Sequence, residues 1–192
     1  MRQRLADVAD IMVGYPFRGK IYPEDSGDVI VVQIKDIDAV TGLTVDDALR
    51  LRGAGGKYGK YMLMAGDVLF QARGSRHPVA VVDAKLNGIA SQGIHVLRLR
   101  PSKLRPAYLA WYLNHPKTQE RLKDMARGSY IPFISKGDLE DFSLPIPPLD
   151  VQDHISEVDR LSRKVVTLET QLAELQQQYI NAVTWNATTS MK

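Results

Sequence analysis

Up to about residue 148 the apolar residues fall in short runs separated by Gly- and Pro-bearing breaks, the pattern of strands in a folded core. Val29-Ile30-Val31-Val32-Gln33-Ile34 reads as a buried strand, and Val68-Leu69-Phe70, Pro78 to Val82 and Ile94 to Leu99 as three more. Tyr61 to Met64 is a brief apolar run and Ile131 to Ile134 a short strand. Helical spacing interrupts the series. Leu5, Val8, Ala9 and Met12 follow a helical period that stops at Gly14. Pro106 to Met125 sets Leu109, Leu113 and Leu122 on one face with a break near Pro116, and Asp138 to Phe142 is a helical turn. Gly53 to Gly56 and the polar stretch Asn87 to Gly93 read as loops. Leu144-Pro145-Ile146-Pro147-Pro148-Leu149 is extended, because proline suits neither a helix interior nor a central strand.

Beyond that proline stretch the pattern changes. Val158, Val165, Leu172 and Tyr179 recur at one heptad position, and Leu161, Leu168, Leu175 and Ala182 at the other. The run contains neither Gly nor Pro, so it predicts one continuous helix with a coiled-coil seam. About 32 helical residues span ~48 Å at 1.5 Å per residue. The preceding domain is too small to cover such a seam along its length, so the seam calls for a partner helix. The fold class is therefore α+β: a mixed domain over 1–148, a spacer and dimerisation helix over 149–185, and a polar tail over 186–192 expected to be disordered.

Composition narrows the function. The absence of cysteine removes disulfides and thiolate zinc sites and fits a reducing cytoplasm. No stretch approaches the ~20 apolar residues of a membrane span. The net charge of +3 conceals a strong asymmetry: residues 50–136 carry 16 basic and 4 acidic side chains, a net of +12, between flanks of −4 and −5. A segment of that charge suits a polyanion, since neutralising phosphates releases counterions.

Catalytic patterns fail one by one. Gly56-Lys57 is followed by Tyr58 and lacks the spacing of a phosphate loop. Ile146-Pro147-Pro148-Leu149 lacks the polar and aromatic residues an adenine methyltransferase uses to grip a flipped base. The four histidines have no metal-ligand spacing. Asp67, then Asp83-Ala84-Lys85, matches the acid and acid-x-Lys order of a metal-dependent nuclease, but Asp67 sits in a tight turn and Asp83 ends a strand. What remains suits base and phosphate contacts. Arg73-Gly74-Ser75-Arg76-His77 follows a strand, and arginine reads guanine bidentately while glutamine reads adenine. The candidate DNA-binding residues are Lys57, Lys60, Arg73, Ser75, Arg76, His77, Gln92, Tyr130 and Lys136, with Lys57 and Lys60 as phosphate contacts.

Several stretches in this order resemble the target-recognition domain of type I restriction-modification specificity subunits. Leu5-Ala6-Asp7-Val8-Ala9 with Gly14-Tyr15-Pro16-Phe17 is similar to the family's opening, and Val32-Gln33-Ile34-Lys35-Asp36-Ile37 to its early strand. Ala65-Gly66-Asp67-Val68-Leu69-Phe70 and Arg73-Gly74-Ser75 look like its Gly-Asp strand and the loop after it. Leu144 to Leu149, then Gln152 and Ile155 leading into a heptad helix, is the most specific match. The resemblance implies a non-catalytic subunit that binds double-stranded DNA and positions a methyltransferase. S-adenosylmethionine then belongs to that partner, this chain needs no cofactor or metal, and a motor-nuclease subunit can join. It also implies a methyltransferase dock around Pro147, Pro148, Leu149 and Gln152.

Full-length members have two recognition domains and two spacer helices, where this chain has one of each. The simplest expectation is a homodimer, with antiparallel helices meeting through Val158, Leu161, Val165, Leu168, Leu172, Leu175 and Tyr179, and a symmetric bipartite target; the alternatives are a truncated product or a recognition domain that pairs with a different half. Two other readings stand beside it: a nuclease using Asp67, Asp83 and Lys85, and a coiled-coil adaptor without sequence-specific DNA binding.

Overall fold

The computed structural model describes residues 2–19, 21–23, 26–53, 58–101, 104–126 and 131–189. Its strands are β1 (Arg2–Arg4), β2 (Ala9–Val13), β3 (Val29–Val32), β4 (Ile37–Asp38), β5 (Gly42–Leu43), β6 (Leu49–Leu51), β7 (Val68–Gln71), β8 (Val79–Val81), β9 (Gly88–Ala90), β10 (Ile94–Leu99) and β11 (Ser143–Pro145). The helices are α1 (Leu5–Val8), α2 (Pro106–Asn114), α3 (Pro116–Met125), α4 (Lys136–Asp141) and α5 (Leu149–Thr189). This is the α+β arrangement expected, with the heptad segment as one long C-terminal helix.

Two sheets form the body. Strands β2, β10, β7 and β8 make an antiparallel four-stranded sheet in that order, and β6, β3 and β9 a three-stranded one in which β3 and β9 run parallel. Burial on both faces explains why β7 is apolar from Val68 to Phe70. Val68 and Phe70 face α2 and α3, joining Leu97, Leu109, Leu113 and Leu122 in the larger core. Leu69 faces the other way, joining Val32, Ala90, Ile94 and Val96 between the sheets. A third cluster lies on the far side of β3, where Val31 and Ile89 meet Tyr58 and, at its edge, Tyr15 and Tyr61. Gly14 allows the close approach here: a Cβ at this position would stand 2.1 Å from the Ser91 carbonyl oxygen.

Several elements differ from the sequence expectation. The helical period from Leu5 ends after one turn, because Ala9–Val13 pairs with β10 along its whole length and the alternation of buried Ala9 and Ile11 outweighs the helical spacing. Gly88–Ala90 is a fully buried strand rather than loop, its glycine pressed against Ile30 of β3. Ile131 to Ile134 makes one bridge, Phe133 to Arg73, and no strand. The charged Arg2–Arg4 is a strand, pairing with β11 just before the proline segment. Finally, α5 continues through Thr189, so 186–189 are helical and only 190–192 lie outside the described residues.

Gln152 anchors α5 to the body. It is fully buried, donates to the Pro147 carbonyl at 2.7 Å and accepts from the Arg105 amide at 2.9 Å. It was expected on a docking surface for a partner; instead it fastens the helix from inside, while Pro148 and Leu149 stay exposed and Pro147 is half-buried. Gln152→Leu leaves the Arg105 amide unpaired and should cost about 1–3 kcal/mol, measured as a lower denaturant midpoint with an unchanged slope.

Farther along, the seam has no cover of its own. Val158, Leu161, Val165, Leu168, Leu172, Leu175 and Tyr179 are 47–70% exposed. The body lies against the opposite face, where Ile155 packs on the core and Ser156, Asp159 and Arg163 are half-buried.

Candidate nucleic-acid interface

The β7–β8 connection presents the arginines. Gly74 takes φ of +117°, a conformation that favours glycine, and its amide donates to the Pro132 carbonyl at 3.0 Å. Gln71 donates to the Arg73 carbonyl at 2.7 Å, and the Arg73 guanidinium lies 5.5 Å from the Phe133 ring centroid. Gln119 of α3 clamps the far foot, accepting from the His77 amide at 3.1 Å and donating to its carbonyl at 2.8 Å. Arg73, Ser75 and Arg76 are exposed on this braced loop.

The second wall is the β9–β10 loop. The Ser91 amide donates to Val32 at 2.8 Å and the Gly93 carbonyl accepts from Ala72 at 2.9 Å, which holds exposed Gln92 beside the arginine loop. Gln33 and Lys35, just after β3, form a third side, in a tight turn closed by the Gln33 amide on the Asp36 carboxylate at 2.8 Å. Arg73, Gln92, Gln33, Lys35, Phe17 and Ile21 line one concavity of about 520 Å³, whose lining among the described residues holds two cations and no acidic residue. Gln33 and Lys35 were not among the expected readers. Their signal was present, a polar and basic pair directly after a buried strand, but a single sequence does not show which loops share a surface.

The other expected contacts are dispersed. Lys136 opens α4, two residues beyond Ile134, whose amide donates to the Ala72 carbonyl at the root of the arginine loop, and it pairs with Glu140 at 3.4 Å. Lys60 lies over the Tyr61 ring at 5.1 Å, joined to Phe17 through Tyr15. Lys57 and Tyr130 lie outside the described residues.

His77 is a correction. It was expected at the DNA, but it is 1% exposed and stacks parallel to Phe70 at 5.6 Å. His95 stacks more loosely on Phe70, at 6.4 Å. Their Nδ1 and Nε2 atoms bond to the Gln71 and Ile134 carbonyls respectively, so each ring donates there. The remaining nitrogens, His77 Nε2 and His95 Nδ1, are buried with no hydrogen-bond partner among the described residues. Burial holds the His77 ring below its ordinary value of 6.5, against the hydrogen bond to Gln71. Burial does the same for His95, opposed by the Ile134 bond and aided by the charge of Lys136. The unfolded chain therefore takes up protons below pH 6.5 that the folded chain refuses. Stability should hold above pH 6.5 and fall between about pH 6.5 and 5, before most carboxylates titrate. Thermal melts across that window check this, and His77→Phe should flatten part of the slope; a flat profile in the unaltered chain contradicts it.

The nuclease residues do not converge. Asp67 is buried, bound by the Arg98 guanidinium at 2.6 and 2.9 Å and by the Met64 amide at 2.8 Å. These bonds occupy both its oxygens and close the turn before β7. Asp83 is exposed on the side facing α5, where its carboxylate accepts from the Lys85 amide at 3.1 Å. Among the described residues no three His, Asp or Glu side chains are grouped to hold a metal ion.

A braced loop bearing arginine, a concavity with no acidic residue among its described lining and a projecting heptad helix are the features of a DNA-specificity domain. The chain belongs to the type I restriction modification DNA specificity domain family, whose model matches residues 2–177. Over 105 residues it is 32% identical to a putative type I restriction enzyme MjaX specificity subunit of Methanocaldococcus jannaschii, covering 52% of this chain and 24% of that one. The HsdS subunit from Thermoanaerobacter tengcongensis superposes with a TM-score of 0.61 at 25% identity, over 88% of this chain and 39% of its own. The type I S subunit from M. genitalium shares the fold, with a TM-score of 0.62 at 17% identity, over 93% of this chain and 42% of its own. A chain of a type I R-M system described for its complex assembly and conformational transition gives 0.67 at 24% identity, over 93% and 42%. The chain thus spans about two fifths of these solved relatives. Among the described residues no helix is long and apolar enough to cross a membrane.

Proposed function

We propose that this chain reads one half of a bipartite DNA target in the cytoplasm and directs a partner adenine methyltransferase to it. The observation that carries this is the concavity joining Arg73, Gln92 and Lys35 on braced loops, with no acidic residue among its described lining. In this reading Arg73 and Gln92 read base edges, and Lys35, Arg76 and Lys136 hold phosphates that set the register. The chain supplies no chemistry itself. The methyltransferase brings S-adenosylmethionine, and the exposed Pro148–Leu149 corner is its dock. A motor subunit converts the same complex to restriction. Two copies pair through α5, which makes the target two inverted half-sites at a spacing set by the helix.

The test is methylation of random genomic DNA by this chain with the methyltransferase of its locus, read by modified-base sequencing. A symmetric bipartite adenine motif that vanishes without this chain supports the reading. The same motif without the chain refutes it, and dimerisation with no salt-sensitive DNA binding would favour the adaptor.

A further inference from the structure

The second half of α5 is exposed at every described side chain from Leu168 to Thr188. Not all of its apolar residues belong to the seam. Trp185, 70% exposed, lies off the heptad core positions. Beside the first turns of α5 is a groove of about 770 Å³, between the helix and the sheet edge. Leu43, Val45, Val81 and Leu86 contribute apolar floor, and Glu157 and Arg160 the helix wall.

We propose that this groove receives Trp185 of a second copy of the chain. The inference rests on the antiparallel dimer proposed above and adds a specific anchor to it. The heptad positions are symmetric: aligning the helices antiparallel so that all eight seam residues are covered sets Val158 against Ala182, Leu161 against Tyr179, Val165 against Leu175 and Leu168 against Leu172. That overlap is ~37 Å long. The free half of each helix then runs along the domain-bearing half of the other. In this register Trp185 is the flanking neighbour of Glu157, at the mouth of the groove, and Lys164 of Gln178.

Charge supports the same occupant. On the helix side of the groove Arg160 pairs with Glu157 at 2.7 Å, Arg105 with Asp153 at 3.1 Å and Arg163 with Asp159, so the charges there are matched from within the chain, while Asp83 and Lys85 line the opposite side. An uncharged apolar group suits such a site, and residues 175–189 contain no charged side chain. Arg160 offers its guanidinium to the indole face, a geometry Trp favours over other rings. Among the flanking positions of the seam, Glu169 makes the one like-charge contact, with its own copy across the axis.

The chain has two tryptophans and no cysteine, which simplifies the experiment. In Trp111→Phe, Trp185 alone reports. Its emission should move to shorter wavelength, and acrylamide quenching fall several-fold, as concentration drives dimerisation followed by light scattering. Trp185→Ala and Val45→Glu, on opposite sides of the contact, should each weaken the dimer about tenfold or more. Lys164→Cys with Gln178→Cys should cross-link two chains, and Lys164→Cys alone should not. Solvent-like emission from a chain that sizes as a dimer overturns the anchor and leaves the dimer standing. A monomer at all concentrations removes both. Protection of Trp185 only after methyltransferase is added assigns the groove to that protein and overturns the second copy as occupant.

Discussion

Replacing Arg73 and Arg76 together with alanine should lower affinity for the cognate sequence by about one to three orders of magnitude, about 1–3 kcal/mol for Arg73 as a base reader and a further salt-dependent loss for Arg76 as a phosphate contact. The effect should fall on binding and not on folding. Both side chains are exposed, and the loop that carries them is held by Gln71, Gln119 and the Gly74–Pro132 hydrogen bond rather than by the guanidiniums. A melting temperature within a degree or two of the unaltered chain is therefore part of the expectation. The single variants sort the roles. A base reader, when lost, relaxes preference at one position; a phosphate contact, when lost, weakens all sequences alike and reduces the salt slope. Arg73, inside the concavity and stacked on Phe133, is assigned the first behaviour and Arg76 the second. Unchanged affinity in the double variant, measured by titration at fixed salt, would show that the reading surface lies elsewhere.

Leu168→Asp with Leu172→Asp should convert the dimer to monomer at micromolar concentration. In the proposed antiparallel register the two leucines face each other across the axis, so each dimer would lose four leucine side chains and gain four carboxylates in a buried seam. Removing a buried leucine costs about 2 kcal/mol and an unpaired buried charge adds more, which is several orders of magnitude in Kd. The body should remain folded, because α5 is anchored to it through Gln152 and Ile155, well before the substitutions. Light scattering gives the mass, and DNA binding should drop to that of a half-site. A dimer that survives both charges would mean that the seam is not the interface.

These expectations differ in how far the linear pattern reaches. The heptads of α5 were visible because a coiled-coil seam repeats within one element, and every seam residue is exposed as that repeat requires. The core strands β3, β7, β8 and β10 were visible because burial leaves them short, mostly apolar runs, unbroken in β3 and β8 and interrupted in β10 by His95 and Arg98. Strands β1 and β9 were hidden. Arg2–Arg4 is held by pairing with β11, and Gly88–Ala90 is small and sits against β3; neither has an apolar run of its own. The extent of α1 was misread because Leu5, Val8, Ala9 and Met12 satisfy a helical period, while Ala9 and Ile11 also satisfy the alternation that β10 selects.

The candidate site divides in the same way. Arg73 and Gln92 are legible as polar residues on loops between strands, and the basic central segment is legible by counting. Burial is not. His77, two positions from exposed Ser75, turns inward to stack on Phe70, and Gln152, expected on a surface, is sealed beneath the start of α5. Nothing in the neighbouring residue types separates these from their exposed companions. Periodicity, a property of residues near one another in the chain, determined the fold class and the long helix, and the charge distribution pointed to a polyanionic ligand. Which loops meet to form a concavity, that Gln152 is spent on the Arg105 amide, and that Asp67 is consumed by Arg98, follow from contacts between residues well separated in the chain, 47 positions for Gln152 and Arg105 and 31 for Asp67 and Arg98. Those contacts arise only when the sheets pack, because hydrogen-bond partners for a buried polar group are chosen by three-dimensional proximity and not by sequence.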